Sequence, residues 1–186
     1  IQDETGAIAL YGTALGDDKL ADIKVGDLIT VTGKKDFYNG LHQIGRFELV
    51  GEKAEGTIPA VVNLDEIEKL DDETLLPYQS QFVTISNLEV VSIVIDSYGS
   101  VEMTLKRITD GETISFKWDN RVDFEGKDEL KEIKAGDFVT LTNAPLGWSR
   151  GPLLAVDRAG QIEVVELEDE ALVTVVKDAL TITQTF

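Results

Sequence analysis

The chain contains two closely similar segments, residues 23–32 (IKVGDLITVT) and residues 133–142 (IKAGDFVTLT). Each has a Gly-Asp pair followed by apolar residues and threonines, which is turn chemistry leading into a half-buried β-strand. An internal repeat of this kind indicates two copies of one small structural unit. We call the unit around the first segment copy one and the unit around the second copy two.

The residues around each segment predict the same order of elements. A strand and a short helix-like stretch precede the Gly-Asp pair, and a turn and a last strand follow the threonine-rich strand. That order is typical of the second half of a five-stranded Greek-key barrel of the OB type. The predicted fold class is therefore mainly β, with two OB-type barrels and short helices.

Only copy two has residues for the first half of such a barrel. Residues 82–91 and 101–108 predict the first two strands, and Asp110-Gly111 predicts the hairpin turn to the third. Copy one starts at what looks like the end of strand two, so its barrel is expected to be incomplete and the chain to continue a longer protein. The predicted domains are residues 1–58 and 81–166.

The segments outside the two copies have their own patterns. Residues 59–80 predict a linker with a short helix over 64–70, capped by Asn63. Residues 168–186 predict a connector to a further domain, with Leu172, Val175 and Val176 on the apolar side of an amphipathic helix. The β-branched content of the connector also allows a strand. The acidic residues 71–73 lack the ligand spacing of a calcium loop and favour a solvated linker.

Residues 1–12 (IQDETGAIALYG), the Val25-Gly26-Asp27 turn and residues 38–44 (YNGLHQI) resemble the tandem OB-fold modules of bacterial secreted and cell-surface proteins. The resemblance covers residues 1–52 and, more loosely, 78–166. It implies an extracellular or cell-surface location and a place beside nuclease or phosphoesterase domains. The helix-then-strand pattern of residues 168–186 similarly resembles the lead-in to a bacterial Ig-like domain.

Charge and composition restrict the function. The chain has 35 acidic and 17 basic residues and a net charge of −18, which opposes binding to a polyphosphate. It contains no cysteine and one histidine, His42, so neither a cysteine metal site nor a repeated nucleophile–histidine pair can form. We expect no enzyme activity, no cofactor, no metal and no membrane insertion.

A binding role has more support, because aromatic residues beside cations suit the stacking of bases or sugars. Trp148 is the strongest candidate and is expected to be exposed, since Gly, Ser and Arg surround it. The alternative is that Tyr11, Phe116 and Phe37 belong to the barrel core or cap it. The full set of candidate ligand-binding residues is Trp148, Arg150, Lys34, Lys35, Phe37, Tyr38, Tyr11 and Trp118.

Two functional hypotheses follow. The first is a non-catalytic interaction and spacer segment of a multi-domain surface protein, whose partners are the other domains of the same polypeptide. The second is an accessory module that binds single-stranded nucleic acid or saccharide. The open side of copy one is expected to be covered by copy two and the connector in a monomer, with a weak dimer as the alternative.

Overall fold

The computed structural model describes residues 1–12, 20 and 22–167. None of the helices in these ranges has the length and apolar character needed to cross a lipid bilayer. The helical segments are α1 (Asp72–Leu75) and the 3-10 helices Leu64–Glu66, Leu76–Tyr78 and Lys127–Lys131. The strands are β1 (Gln2–Asp3), β2 (Gly6–Ala7), β3 (Ala9–Tyr11), β4 (Asp27–Leu28), β5 (Val31–Tyr38), β6 (Leu41–Leu49), β7 (Ala54–Glu55), β8 (Val62–Asn63), β9 (Phe82–Ile95), β10 (Val101–Arg107), β11 (Thr113–Trp118), β12 (Phe138–Trp148), β13 (Pro152–Leu154) and β14 (Ile162–Val165).

Copy two forms a closed five-stranded barrel. Its strands follow the order β9, β10, β11, β13, β12, and β12 pairs back onto β9 to close the sheet. The pairing of β11 with β13 is parallel and the other four pairings are antiparallel. This order and the short 3-10 helix between β11 and β12 are those of an OB-type Greek-key barrel, so the predicted mainly β fold class is confirmed.

The barrel interior is filled by the alternate residues of its strands, as the two-residue period of a strand requires. On β10 the side chains of Val101, Met103 and Leu105 are buried, and on β11 those of Phe116 and Trp118 are buried. The other strands contribute Val83, Ile85, Leu88, Val90, Val139, Leu141, Ala144, Leu146, Trp148 and Leu154. Burial of these side chains is the main source of stability of copy two.

Threonines stabilise the two breaks in the closing pair of strands. The registration of β12 against β9 shifts on either side of Leu141, which leaves backbone groups outside the ladder. The Thr140 hydroxyl accepts a hydrogen bond from the Asn87 backbone N–H at 3.1 Å, and the Thr84 hydroxyl accepts one from Asn143 at 3.2 Å. Thr84 on β9 and Thr140 in the repeated segment therefore bond to backbone N–H groups at these breaks, in addition to favouring strand.

Copy one repeats three of the five barrel strands. In it β3 pairs with β6 in parallel and β6 pairs with β5 antiparallel, as β11, β13 and β12 do in copy two. β1 and β2 form the predicted hairpin, where Asp3 accepts hydrogen bonds from the Thr5 and Gly6 backbone. No closed barrel is present among the described residues of copy one, so its identity as a second barrel remains a prediction.

The predicted linker packs onto copy two instead of running free in solvent. Asn63 caps a helical turn as expected, but the turn ends at Glu66 and does not reach residue 70. Asp71, the first of the acidic linker residues, caps α1 by accepting a hydrogen bond from the Thr74 N–H. Leu64, Leu70 and Leu75 are fully or almost fully buried in the core of copy two.

Among the described residues, copy two covers the hairpin end of the open side of copy one, and the expected cover by the connector stays a prediction. Leu41, near the β5–β6 turn, packs against the core of copy two. By contrast, Tyr11 and Tyr38 on the same side each keep more than half of their surface exposed. The connector, 168–186, lies outside the described residues.

A buried arginine fastens the linker to the barrel. Arg107, at the end of β10, is 5% exposed and donates to the backbone carbonyls of Leu64, Ile67 and Glu68. Its guanidinium also pairs with Asp110, and this pairing is the largest cause of the lowered pKa of the Asp110 carboxyl. One side chain thus bonds to three carbonyls of the linker, of which that of Leu64 also accepts the Ile67 backbone N–H at 3.2 Å.

We predict that Arg107→Ala lowers the free energy of unfolding by about 3 kcal/mol, because it leaves buried carbonyls and Asp110 without their partner. Urea denaturation followed by tryptophan fluorescence measures the change. Arg121→Ala is the matched control: that arginine also pairs with an aspartate, Asp119, but is 86% exposed, and we expect a change within about 0.5 kcal/mol. Equal effects of the two substitutions would contradict the role given to Arg107.

Candidate ligand-binding surfaces

The hairpins that join strands four and five of the two copies meet at their tips. In copy one the β5–β6 turn is Asn39-Gly40, and both residues have positive φ angles of 50° and 93°, which suits the two-residue hairpin turn that Asn-Gly favours. In copy two the equivalent turn includes Arg150, whose backbone N–H donates to the Asn39 carbonyl at 2.7 Å. Candidate residues from both copies are thereby brought together.

Trp148 is buried at this junction, so the expectation that it is exposed was wrong. It is the last residue of β12, is 9% exposed and belongs to the core of copy two. A Cβ placed on Gly40 would lie 2.5 Å from the indole Cδ1 and 2.6 Å from Nε1. The polar residues beside Trp148 do not expose it, because the hairpin of copy one covers it.

Trp118 is also removed from the ligand-contact candidates. It is 1% exposed, and its indole Nε1 donates to the Val122 carbonyl at 3.0 Å. The ring lies edge-on to Phe124 with the centroids 6.3 Å apart, and the Lys131 ammonium is 5.8 Å from its centroid. Trp118 therefore closes the end of the barrel core. This is the core alternative that the sequence left open for the aromatic residues of strand three.

The four candidates on β5 are exposed but lie on both faces of the sheet. Lys35 and Phe37 share the face of Ile44 and His42, with which they pair in register. The rings of Phe37 and His42 are in contact at a tilt of 58°, with centroids 5.0 Å apart. Lys34 and Tyr38 point to the opposite side, because successive strand residues alternate. The structure therefore divides the predicted β5 cluster in two.

Tyr11 lies on the same face of the sheet as Lys34 and Tyr38. On β6, Gly45 pairs with both Tyr11 and Lys34, so the two side chains stand on either side of a position without a side chain. Tyr11 and Tyr38 are 68% and 65% exposed. Arg150 is exposed as well and lies at the hairpin junction.

OB folds commonly bind ligands on the face formed by strands two and three. In copy two these strands are β10 and β11, and their outward face lacks the aromatic and unpaired cationic side chains that bind nucleic acid. Its outward residues alternate with the buried ones and contain no aromatic side chain. Lys106 pairs with Glu89, and Lys117 pairs with Glu102, the first cause of the raised pKa of Lys117. The outward residues are Glu102, Thr104, Lys106, Thr113, Ser115 and Lys117.

The sequence reasoning missed Tyr98, which is 80% exposed in the loop between β9 and β10. The Asp96 carboxylate accepts backbone hydrogen bonds from Tyr98 at 2.8 Å and from Ser100 at 2.9 Å, which fixes the loop. An Asp-Ser-Tyr-Gly stretch between two strand-forming runs was the available signal.

In the described part of the chain, no three His, Cys, Asp or Glu residues are placed to hold a metal ion.

No protein-family model and no curated protein matches the chain. A solved structure of a murine DNA-binding protein bound to double-stranded DNA is similar to it with a TM-score of 0.35 and 12% identity. That match covers 84% of this chain and 79% of the other. A similarity this low carries no argument about function.

We predict that Gly40→Ala lowers stability by about 2 kcal/mol more than Gly136→Ala does, because its new methyl group collides with the Trp148 indole. Gly136 is the matched control: its φ angle of 94° equals that of Gly40 within a degree, and no atom lies within 4 Å of a Cβ built there. Urea denaturation measures both variants. A red shift of the tryptophan emission is expected for Gly40→Ala alone, and equal behaviour of the variants would contradict the contact.

Proposed function

We propose that this chain is a non-catalytic interaction and spacer segment of a multi-domain bacterial extracellular or cell-surface protein, related to the tandem OB-fold modules that its sequence resembles. The observation that carries the proposal is the joint between the copies. A segment that holds neighbouring domains apart needs modules whose relative position is fixed. A flexible tether between them would not serve.

Gln79 is the centre of that joint. Its side chain is 6% exposed, its amide Oε1 accepts from the His42 backbone N–H at 2.7 Å, and its Nε2 donates to the Gly40 carbonyl at 2.9 Å. Ser80, the next residue, donates its backbone N–H to the Leu146 carbonyl on β12 at 2.8 Å. One amide therefore links the hairpin of copy one to a segment that is itself tied to the barrel of copy two.

Three further contacts support a fixed joint. The Gln2 side chain accepts a hydrogen bond from the Phe82 backbone N–H at 2.9 Å, at the start of β9. The Arg150 to Asn39 backbone bond and the packing of Trp148 on Gly40 act at the hairpin end. Contacts that join the same two bodies at several separate points oppose bending in more than one direction.

A second candidate function is ligand binding by copy one. The specific observation in its favour is that Tyr11, Phe37 and Tyr38 are each more than 60% exposed beside the cations Lys34 and Lys35. Surface aromatics next to hydrogen-bonding groups are suited to stacking on sugars or bases. The net charge of −18 favours a neutral ligand over a polyphosphate.

The spacer proposal predicts a narrow distribution of distances between the copies. Spin labels at Glu52→Cys in copy one and Ser97→Cys in copy two report that distance in double electron–electron resonance. Because the chain has no cysteine of its own, only these two positions are labelled. Gln79→Ala removes two hydrogen bonds, at about 1 kcal/mol each, and should broaden the distribution. Gln81→Ala is the matched control, since that side chain bonds to Pro77 within the same segment. A broad distribution in the unmutated protein would reject the spacer role.

We also predict no measurable binding of single-stranded DNA at physiological salt, because the acidic surface repels phosphate. A gel-shift titration with a fluorescent (dT)₁₂ probe tests this. If micromolar binding is found, the exposed Lys34, Lys35 and Arg150 are expected to carry it. Neutralising all three should then abolish binding and flatten its salt dependence, and the preference for a neutral ligand would be wrong.

A further inference from the structure

The paired hairpins allow the two copies to be compared position by position. Tyr38 pairs with Leu41 at the tip of copy one as Trp148 pairs with Pro152 in copy two. Two residues further from the tip, Asp36 pairs with Gln43 as Leu146 pairs with Leu154. The two sheets therefore share one registration of backbone hydrogen bonds.

The same comparison extends to strand three. Gln43 pairs with Ala9 on β3, and Leu154 pairs with Phe116 on β11. Two residues beyond these, Tyr11 in copy one takes the position of Trp118 in copy two. The face of copy one that corresponds to the interior of the barrel can thus be assigned residue by residue.

That face is polar in copy one, although its counterpart is the hydrophobic core of copy two. Asp36 and Gln43 stand where Leu146 and Leu154 are fully buried, and Lys34 stands where Ala144 is fully buried. Tyrosines replace the two tryptophans. We call this set the polar face of copy one: Tyr11, Lys34, Asp36, Tyr38 and Gln43.

The polar groups of this face are organised toward one another. Gln43 is 5% exposed, and its Nε2 donates to the Asp36 carboxylate at 2.9 Å. This bond is the first cause of the lowered pKa of Asp36, so the carboxylate is ionised at neutral pH. The other carboxylate oxygen of Asp36 accepts a hydrogen bond from the Phe37 backbone N–H at 2.9 Å, so both oxygens are held in place. Each carboxylate oxygen has a further lone pair with which it can accept a ligand hydroxyl.

These residues do not suit a closed, dry barrel. Burying a lysine and a carboxylate without full hydrogen bonding costs several kcal/mol, whereas the leucines of copy two cost nothing. Whatever strands complete copy one, this end of its interior is expected to remain hydrated. The substitution of polar for apolar residues on an unchanged backbone scaffold therefore indicates a site for a ligand.

We propose that the polar face of copy one binds a neutral oligosaccharide. The two exposed tyrosine rings offer apolar surfaces for the C–H faces of sugar rings, and the Asp36–Gln43 pair offers fixed partners for adjacent hydroxyl groups. Gly45 has no side chain of its own between Tyr11 and Lys34, and the Asp36 carboxylate lies above it, with Oδ2 at 3.6 Å from the position of a Cβ. A carboxylate at the centre of the face disfavours a phosphate backbone.

This inference rests on the second candidate function and is independent of the spacer role. The experiment is titration of the isotope-labelled chain with maltohexaose, cellohexaose, laminarihexaose and chitohexaose, followed by NMR chemical shifts. We expect at least one of the four to shift signals of residues 9–11 and 34–45. Tyr11→Ala and Tyr38→Ala should each weaken that binding about tenfold.

Two control variants distinguish a site from a surface effect. Tyr98→Ala removes a tyrosine of similar exposure from copy two and should leave the affinity unchanged. Asp36→Leu combined with Gln43→Leu installs the residues of copy two and should abolish binding without loss of stability in urea denaturation. The distance distribution between the copies should be unchanged in all of these variants, so failure of sugar binding and failure of the spacer role are separate results.

Three outcomes would overturn the proposal. The first is that none of the four hexasaccharides produces shifts at millimolar concentration. The second is binding that survives Tyr11→Ala, Tyr38→Ala and the double leucine variant. The third is binding of (dT)₁₂ that those same variants abolish, which would assign the face to nucleic acid.

Discussion

Closure of the barrel by β9 is the constraint on which the rest of copy two depends. This strand pairs with β10 on one side and with β12 on the other, so it must bend and leave the regular ladder. The hydroxyls of Thr84 and Thr140 satisfy the backbone groups that the bend releases. Once the sheet is closed, every strand residue points either into a packed interior or out to solvent. That division decides which aromatic side chains can reach a ligand.

The same barrel organises the parts of the chain around it. Leu64 and Leu75 of the segment between the copies are buried against the barrel core, and Arg107 holds the carbonyls of that segment. Because the segment cannot leave the barrel surface, Gln79 is presented to the hairpin of copy one. A segment whose composition is typical of a linker thus becomes part of a joint.

The two copies use one backbone scaffold for different side-chain chemistry. Copy two fills the interior with leucines and tryptophans and neutralises its outward lysines with glutamates. Copy one places Asp36, Gln43 and Lys34 at the equivalent interior positions and keeps two tyrosines exposed. The hydrogen-bond ladder is made by backbone atoms, so it is the same with either set of side chains. The free energy of burial depends on the side chains, so it differs between the two copies. We therefore propose that copy two is the structural copy and that copy one is the copy that contacts ligands.

The sequence by itself determined the repeat, the fold class and the order of the barrel strands, because alternation, Gly-Asp turns and β-branched residues are local signals. For Tyr11 and Phe37 it left two alternatives, ligand contact or barrel core. The tertiary structure alone decided that Trp148 and Trp118 are buried. Trp148 is covered by Gly40, a residue more than a hundred positions away in the chain, and composition near the tryptophan carries no information about that contact.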